Sequence, residues 1–152
     1  MIEEHQGSIF DAPVQALVNA VNTEGIMGAG LAKEFRERFP EAYEDYRRAC
    51  ERHELVPGTL HDYWLPDGRR IINFPTKTLW RSPSRLAYIT AGLPVLADFV
   101  RMNAIPSIAI PALGCGLGGL SWHVVKPRIE DAFADLANGY VDVWLYGPRR
   151  PG

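Results

Sequence analysis

Short apolar runs alternate along this chain with longer segments in which apolar residues recur at helical spacing. Residues 16–20, 107–110 and 141–146 are the short runs, and they predict buried strands, the first ending at Asn19. Residues 60–65 and 70–74 flank Pro66-Asp67-Gly68, in which proline presets φ and glycine permits the reversal, so they predict a hairpin. A glycine-containing loop, 24–30, opens a helix through Leu31, Lys33, Glu34 and Phe35. Pro40 suits the first turn of a second helix over 40–53, with Tyr43, Tyr46 and Cys50 at helical spacing. Residues 84–103 place Leu86, Ile89, Leu93, Leu96 and Val100 on a 3.6-residue period, and Gly92 and Pro94 are expected to kink or interrupt that helix. Ser121 is a suitable N-cap for a last helix over 122–137. Helices interleaved with short strands predict a three-layer α/β/α domain around a largely parallel or mixed sheet. Ligands of such sheets bind at the carboxyl ends of the strands. Three informative segments lie there: the loop after Asn19, the segment after Asn73-Phe74, and the loop after Ile110.

Composition narrows the classes. A chain of 152 residues, 47% hydrophobic and 22% charged, suits one globular domain spanning 1–152 rather than a disordered chain. It ends at Arg149-Arg150-Pro151-Gly152, directly after the last expected strand, as the N-terminal domain of a longer protein would. No segment approaches the roughly 20 apolar residues that span a bilayer, and the first six residues lack a signal-peptide pattern. Cys50 and Cys115 sit in unlike contexts, a charged helix and a glycine loop, and are expected as free thiols in a reducing cytoplasm. A net charge of −2 excludes electrostatic coating of nucleic acid, so any such contact must be local. No His, Cys and carboxylate grouping has metal-ligand spacing, so no metal is expected. Of the sixteen basic residues only Lys33, Lys77 and Lys126 are lysines, so a retained lysine invites the question whether arginine could have served.

Two loops are suited to an anion. Met27-Gly28-Ala29-Gly30 leads into a helix N-terminus, where small residues let backbone N–H groups approach a ligand and the helix dipole favours negative charge. Gly114-Cys115-Gly116-Leu117-Gly118-Gly119 also lies between a strand and a helix. Neither has the lysine of an NTPase loop, nor does the second fit the dinucleotide fingerprint. Together, on one edge of one sheet, they suggest a cleft that grips a diphosphate from both sides. Asn19 and Asn22 flank the first loop with amides suited to ribose hydroxyls, or to satisfying loop backbone.

Leu17-Val18-Asn19-Ala20-Val21-Asn22, then Gly28-Ala29-Gly30-Leu31-Ala32, then Ile110-Pro111-Ala112-Leu113-Gly114-Cys115-Gly116-Leu117-Gly118 resembles the macrodomain family in order and spacing. The resemblance runs from Gly7-Ser8-Ile9 to the last strand. It implies ADP-ribose as ligand and no separate cofactor. The implied contacts are Ser8, Ile9, Asn19, Ala20 and Asn22, then Met27, Gly28, Ala29, Gly30, Leu31 and Thr76, then Leu113, Gly114, Cys115, Gly116, Leu117 and Gly118. The family usually has an aspartate after the first glycine to recognise adenine; Ser8 stands here, which leaves that contact to backbone near Ile9.

Within the family, Thr76-Lys77 with Gly114-Cys115-Gly116-Leu117 resembles the branch holding terminal ADP-ribose protein glycohydrolase and the bacterial DarG-type antitoxins. In that branch the lysine of the pair is catalytic, which implies the role for Lys77. DarG-type macrodomains remove ADP-ribose from thymidine in DNA and oppose a DarT-type toxin, which implies ADP-ribosylated single-stranded DNA and such a toxin as partners. The protein glycohydrolase has an aspartate where Gly118 stands, a departure that favours the DNA-directed group. From spacing alone Lys77 reads as a solvated loop lysine, and it is the resemblance that implies otherwise; arginine, unlike lysine, cannot readily lose a proton to become a nucleophile. Trp80, Arg81 and Arg85 follow it as candidate DNA contacts, the arginines on phosphates and Trp80 stacked on a base. His123, in the first turn of its helix, is expected to be structural. Two other functions stay open: hydrolysis of ADP-ribosyl esters on acidic protein side chains, and ADP-ribose binding without turnover.

Overall fold

All the strands expected from the apolar pattern form, and two elements form that the pattern did not reveal. In a computed structural model, which describes residues 1–148, the elements are β1 (Ile2–His5), β2 (Ala16–Val21), α1 (Gly30–Arg38), α2 (Pro40–Glu51), β3 (His61–Trp64), β4 (Arg70–Pro75), α3 (Leu86–Met102), β5 (Ser107–Pro111), α4 (Trp122–Asn138) and β6 (Asp142–Tyr146). The expectation concerning residues 149–152 lies outside the described residues. The unforeseen elements are β1, whose Glu3 and Glu4 hide it from an apolar scan, and a 3-10 turn at Ile9–Asp11. Both cysteines are free thiols, and no helix among the described residues is long and apolar enough to cross a membrane.

The sheet order is β1-β6-β5-β2-β4-β3. All neighbours are parallel except β3 and β4, the expected hairpin, so the sheet is mixed. Side chains alternate across the pleat, and β2 shows how this divides the core. Ala16 and Val18 face α3 and α4, where they join Ile72, Phe74, Ile89, Leu96 and Phe133. Leu17 and Val21 face α1 and α2, with Phe35, Tyr46 and Ile71. Two cores on opposite faces of one sheet make the three layers.

α3 corrects one expectation: it runs unbroken from Leu86 to Met102. Gly92 is needed for packing, since a Cβ there would meet the Phe74 ring at 2.5 Å. Pro94 lies on the exposed side, as does Thr90, whose carbonyl loses its helical partner and can be hydrated instead. Ser121 occupies the N-cap position of α4, but its hydroxyl makes no capping bond; only its carbonyl is used, by the N–H groups of Val124 and Val125.

Topology then fixes where a ligand can sit. β5, β2 and β4 are adjacent, so the loops after them meet at one edge. The chain leaves β2 for α1 on one face and leaves β5 for α4 on the other. The two loops diverge and open a crevice at the carboxyl ends of the strands.

Candidate active site

That crevice is a cleft of about 830 Å³, with Ala20 and Val21 of β2 in its lining. One wall is Gly28–Leu31, running into α1. The N-cap of α1, Ala29, offers no side-chain cap, and no acidic residue occupies the first turn. The helix start therefore keeps its unpaired N–H groups and its positive end for an anion in the cleft. The opposite wall is the loop after β5. Leu117 is exposed and comes within 3.5 Å of where a Cβ on Gly30 would stand, so the two loops nearly touch across the opening.

Asn22 shapes the first wall. Its Oδ1 accepts the N–H groups of Glu24, Gly25 and Ile26 at 3.1, 3.2 and 3.3 Å, and its Nδ2 donates to the Ile26 carbonyl at 2.8 Å. The buried Tyr46 hydroxyl lies 2.7 Å from the Asn22 carbonyl oxygen and 2.9 Å from Oδ1. One amide thereby organises the whole turn.

The second wall is built by close approach. Gly114 has φ of +73°, and a Cβ there would meet Leu120 at 2.8 Å. A Cβ on Gly118 would stand 2.1 Å from Ser84 Oγ and 2.6 Å from the Gly114 carbonyl oxygen. Ser84 packs against this loop, largely buried but still contributing to the cleft lining. Its N–H donates to the Gly118 carbonyl at 3.0 Å and its Oγ donates to Thr76 Oγ1 at 3.1 Å. A side chain at position 118, aspartate included, would displace that latch.

Lys77 follows the end of β4 and lines the cleft, half-buried. Its Nζ donates to the Trp80 carbonyl at 2.8 Å, a neutral acceptor rather than a carboxylate. Desolvation holds its ammonium below the ordinary lysine value, because burial penalises the charged form. Trp80 and Arg81 are exposed at the rim beside it. The thiol of Cys115 is pushed up to about 11 by burial, which makes it a poor nucleophile at neutral pH.

The Macro domain family model matches residues 18–129. The chain is a macrodomain. It is 44% identical over 151 residues to the DNA ADP-ribosyl glycohydrolase of Thermus aquaticus, across 97% of this chain and 41% of that protein. The solved macrodomain of Mycobacterium tuberculosis DarG superposes with a TM-score of 0.93 at 44% identity, covering 98% of this chain and 99% of that one. The structure of Thermosipho africanus DarTG in complex with ADP-ribose gives a TM-score of 0.86 at 34% identity, over 95% of this chain and 42% of that one. This macrodomain spans about two fifths of the length of the DNA ADP-ribosyl glycohydrolases it matches.

Of the residues expected from the sequence, the macrodomain brings Ala20, Asn22, Gly28, Ala29, Gly30 and Leu31 to one side of the cleft. Thr76, Lys77, Trp80, Arg81, Gly114, Leu117 and Gly118 complete it. Others lie elsewhere. Asn19 is wholly buried on the α1/α2 face, where its Nδ2 donates to Asn73 Oδ1 at 3.1 Å and approaches Met27 Sδ at 3.7 Å. β2 continues to Val21, so Asn19 sits two residues short of the strand end, covered by the core of that face, while Val21 at the end reaches the cleft. Met27 and Leu113 are core residues, and Cys115 and Gly116 lie outside the lining. Ser8 caps the 3-10 turn through the Phe10 N–H, and neither it nor the buried Ile9 reaches the cleft wall. Arg85 is exposed but off the wall, with its N–H on the Thr76 carbonyl. His123 is exposed and outside the lining, and the described residues hold no cluster fit for a metal. Val21, Ile26, Ala32, Ser82, Pro83 and Ser84 line the cleft without having been expected as contacts, and Gly119 lines it as part of the expected second loop. The Ser84 latch pairs residues 34 positions apart, so only the fold reveals it.

Proposed function

We propose that this macrodomain hydrolyses the bond between the distal ribose C1″ of ADP-ribose and N3 of thymine in single-stranded DNA. In that role it is the antitoxin activity opposing a DarT-type DNA ADP-ribosyltransferase. The carrying observation is Lys77: a partly desolvated amine, held by a backbone carbonyl and with no carboxylate partner among the described residues, in a cleft whose walls suit a diphosphate. The names borne by relatives at 44–45% identity and the ADP-ribose complex of a DarTG protein support the same reading.

The loops 28–31 and 114–118 hold the diphosphate with backbone N–H groups, which places the distal ribose toward Thr76 and Lys77. Neutral Lys77 attacks C1″; a C1″–Nζ bond forms as the C1″–N3 bond breaks. The electron pair leaves with thymine, which takes up a proton. Water then displaces the lysine from C1″, releasing ADP-ribose and returning the amine. Thymine N3 is acidic enough to leave without a strong general acid, which fits a loop that has no room for a carboxylate at Gly118. Water is the only co-reactant. Trp80 supplies a stacking face and Arg81 a phosphate contact for the strand entering the cleft.

The test incubates wild type and Lys77→Ala with a thymidine-ADP-ribosylated oligonucleotide and follows its mass. Restoration of the unmodified oligonucleotide by wild type alone supports the proposal. Retention of the adduct by wild type, with ADP-ribose still bound, refutes it in favour of a binding module.

A further inference from the structure

The rim of the cleft carries one carboxylate that the chemistry above leaves unused. Glu24 belongs to the turn organised by Asn22, whose Oδ1 accepts the Glu24 N–H at 3.1 Å. The Glu24 carboxylate reaches to the opposite segment and accepts the Trp80 N–H through Oε2 at 2.9 Å. The carbonyl of the same Trp80 accepts Lys77 Nζ at 2.8 Å. Beside them the Thr23 N–H donates to the Thr78 carbonyl at 3.1 Å. The segment from Lys77 to Trp80 is thus pinned to the first loop at two points, 78 and 80. Trp80 is held by its N–H on one side and employed through its carbonyl on the other.

We propose that Glu24 is a positioning residue for Lys77: by holding the Trp80 N–H it fixes the Trp80 carbonyl that places the lysine amine. A lysine side chain has four rotatable bonds and disperses unless its end is held. The bond to the Trp80 carbonyl holds it only as firmly as that carbonyl is itself fixed. The bond that fixes it is charge-assisted, a carboxylate on a backbone N–H. Glu24 is not among the residues lining the cleft, so it acts through the Trp80 backbone rather than on the substrate. Because Trp80 is exposed and its ring hangs on the same residue, Glu24 also sets where that stacking face stands relative to the amine.

The turnover arm of the test rests on the hydrolysis proposed above, and a second arm does not. With only three lysines in the chain, acylation of Lys77 by acetic anhydride can be followed by peptide mass spectrometry against Lys33 and Lys126. Wild type, Glu24→Gln and Glu24→Ala are compared over a pH series. In Glu24→Ala the Lys77 profile moves up in pH toward that of an ordinary lysine, because the amine leaves its partly buried place. Glu24→Gln, whose amide oxygen still accepts the Trp80 N–H, keeps the wild-type profile. On the thymidine conjugate, Glu24→Ala lowers kcat about 10-fold to 100-fold with little change in KM, the scale of a displaced catalytic group. Glu24→Gln restores most of that loss, and both variants bind ADP-ribose as wild type does. If Glu24→Ala does not fold, Glu24→Asp, shortened by one methylene, replaces it with the same expectation. A wild-type acylation profile in Glu24→Ala overturns the proposal. So does a shift or kcat loss of equal size in Glu24→Gln, which would assign the effect to charge. Absence of turnover by wild type would reject the hydrolase and leave the acylation result to decide the role of Glu24.

Discussion

Two glycines in the loop after β5 make opposite predictions although they stand two residues apart. At Gly118 a Cβ would lie 2.1 Å from Ser84 Oγ, 2.8 Å from Ser84 Cβ and 2.6 Å from the Gly114 carbonyl oxygen. The first contact could be relieved by a rotamer change of Ser84, at the cost of its bond to Thr76. The other two involve a Cβ and a backbone atom, and can be relieved only by moving the loop. Overpacking of this kind costs about 1–3 kcal/mol. For a domain of this size, that lowers the melting temperature by roughly 2–12 °C. At Gly116 a Cβ meets nothing within 4 Å, so Gly116→Ala should stay within about 0.5 kcal/mol of wild type. Thermal unfolding by intrinsic fluorescence separates the two, and calorimetric titration with ADP-ribose reports on the wall. Gly118→Ala should lose affinity along with stability. Ser84→Ala should not rescue it, because the Gly114 carbonyl still blocks the methyl group. Equal melting temperatures for Gly116→Ala and Gly118→Ala would refute the steric account of the second wall.

Lys77→Ala and Lys77→Arg should both abolish turnover of the thymidine conjugate while keeping ADP-ribose affinity within about three-fold by calorimetry, since arginine does not supply a neutral nucleophile. The pH dependence follows from the lowered ammonium of Lys77 in the free protein: the neutral fraction grows as pH rises, so kcat/KM should climb from neutral pH to a midpoint below that of an ordinary lysine, and a flat or falling profile would count against a neutral nucleophile. Trp80→Ala should raise KM for the oligonucleotide roughly 5-fold to 150-fold, the range of one lost base–aromatic stack, and leave free ADP-ribose binding unchanged. Tyr46→Phe removes the hydroxyl that braces Asn22 and should cost about 1–2 kcal/mol in a denaturant titration, with weaker ADP-ribose binding because the first wall loosens.

The layers and the position of the cleft were legible because each rests on local patterns. Buried parallel strands are short and apolar, the helices carry their period, and glycines after β2 and β5 mark the loops. Lys77 stood out through the scarcity of lysine and its place after an apolar strand. What was not legible depends on pairing across the chain. β1 is an edge strand with glutamates at its centre, and only its partner β6 defines it. Asn19 reads as the end of a strand beside a loop until the register of β2 with β4 shows the strand running on through Asn19↔Asn73 to Val21. Gly92 and Pro94 read as helix breakers, yet one is required by the Phe74 ring and the other faces water. The latch of Ser84 and the bridge from Glu24 to Trp80 join segments remote in sequence, and no spacing rule finds them.

As proposed above, this cleft cleaves the ADP-ribose–thymine bond with Lys77 as nucleophile. That reaction is tested most directly by giving the macrodomain a thymidine-ADP-ribosylated oligonucleotide and a glutamate-ADP-ribosylated protein in the same tube. Release of ADP-ribose from each is then followed by mass. Loss of the DNA adduct is expected, with the protein ester persisting and no release by Lys77→Ala. Cleavage of the ester with the DNA adduct intact, or release by Lys77→Ala at the wild-type rate, would contradict it.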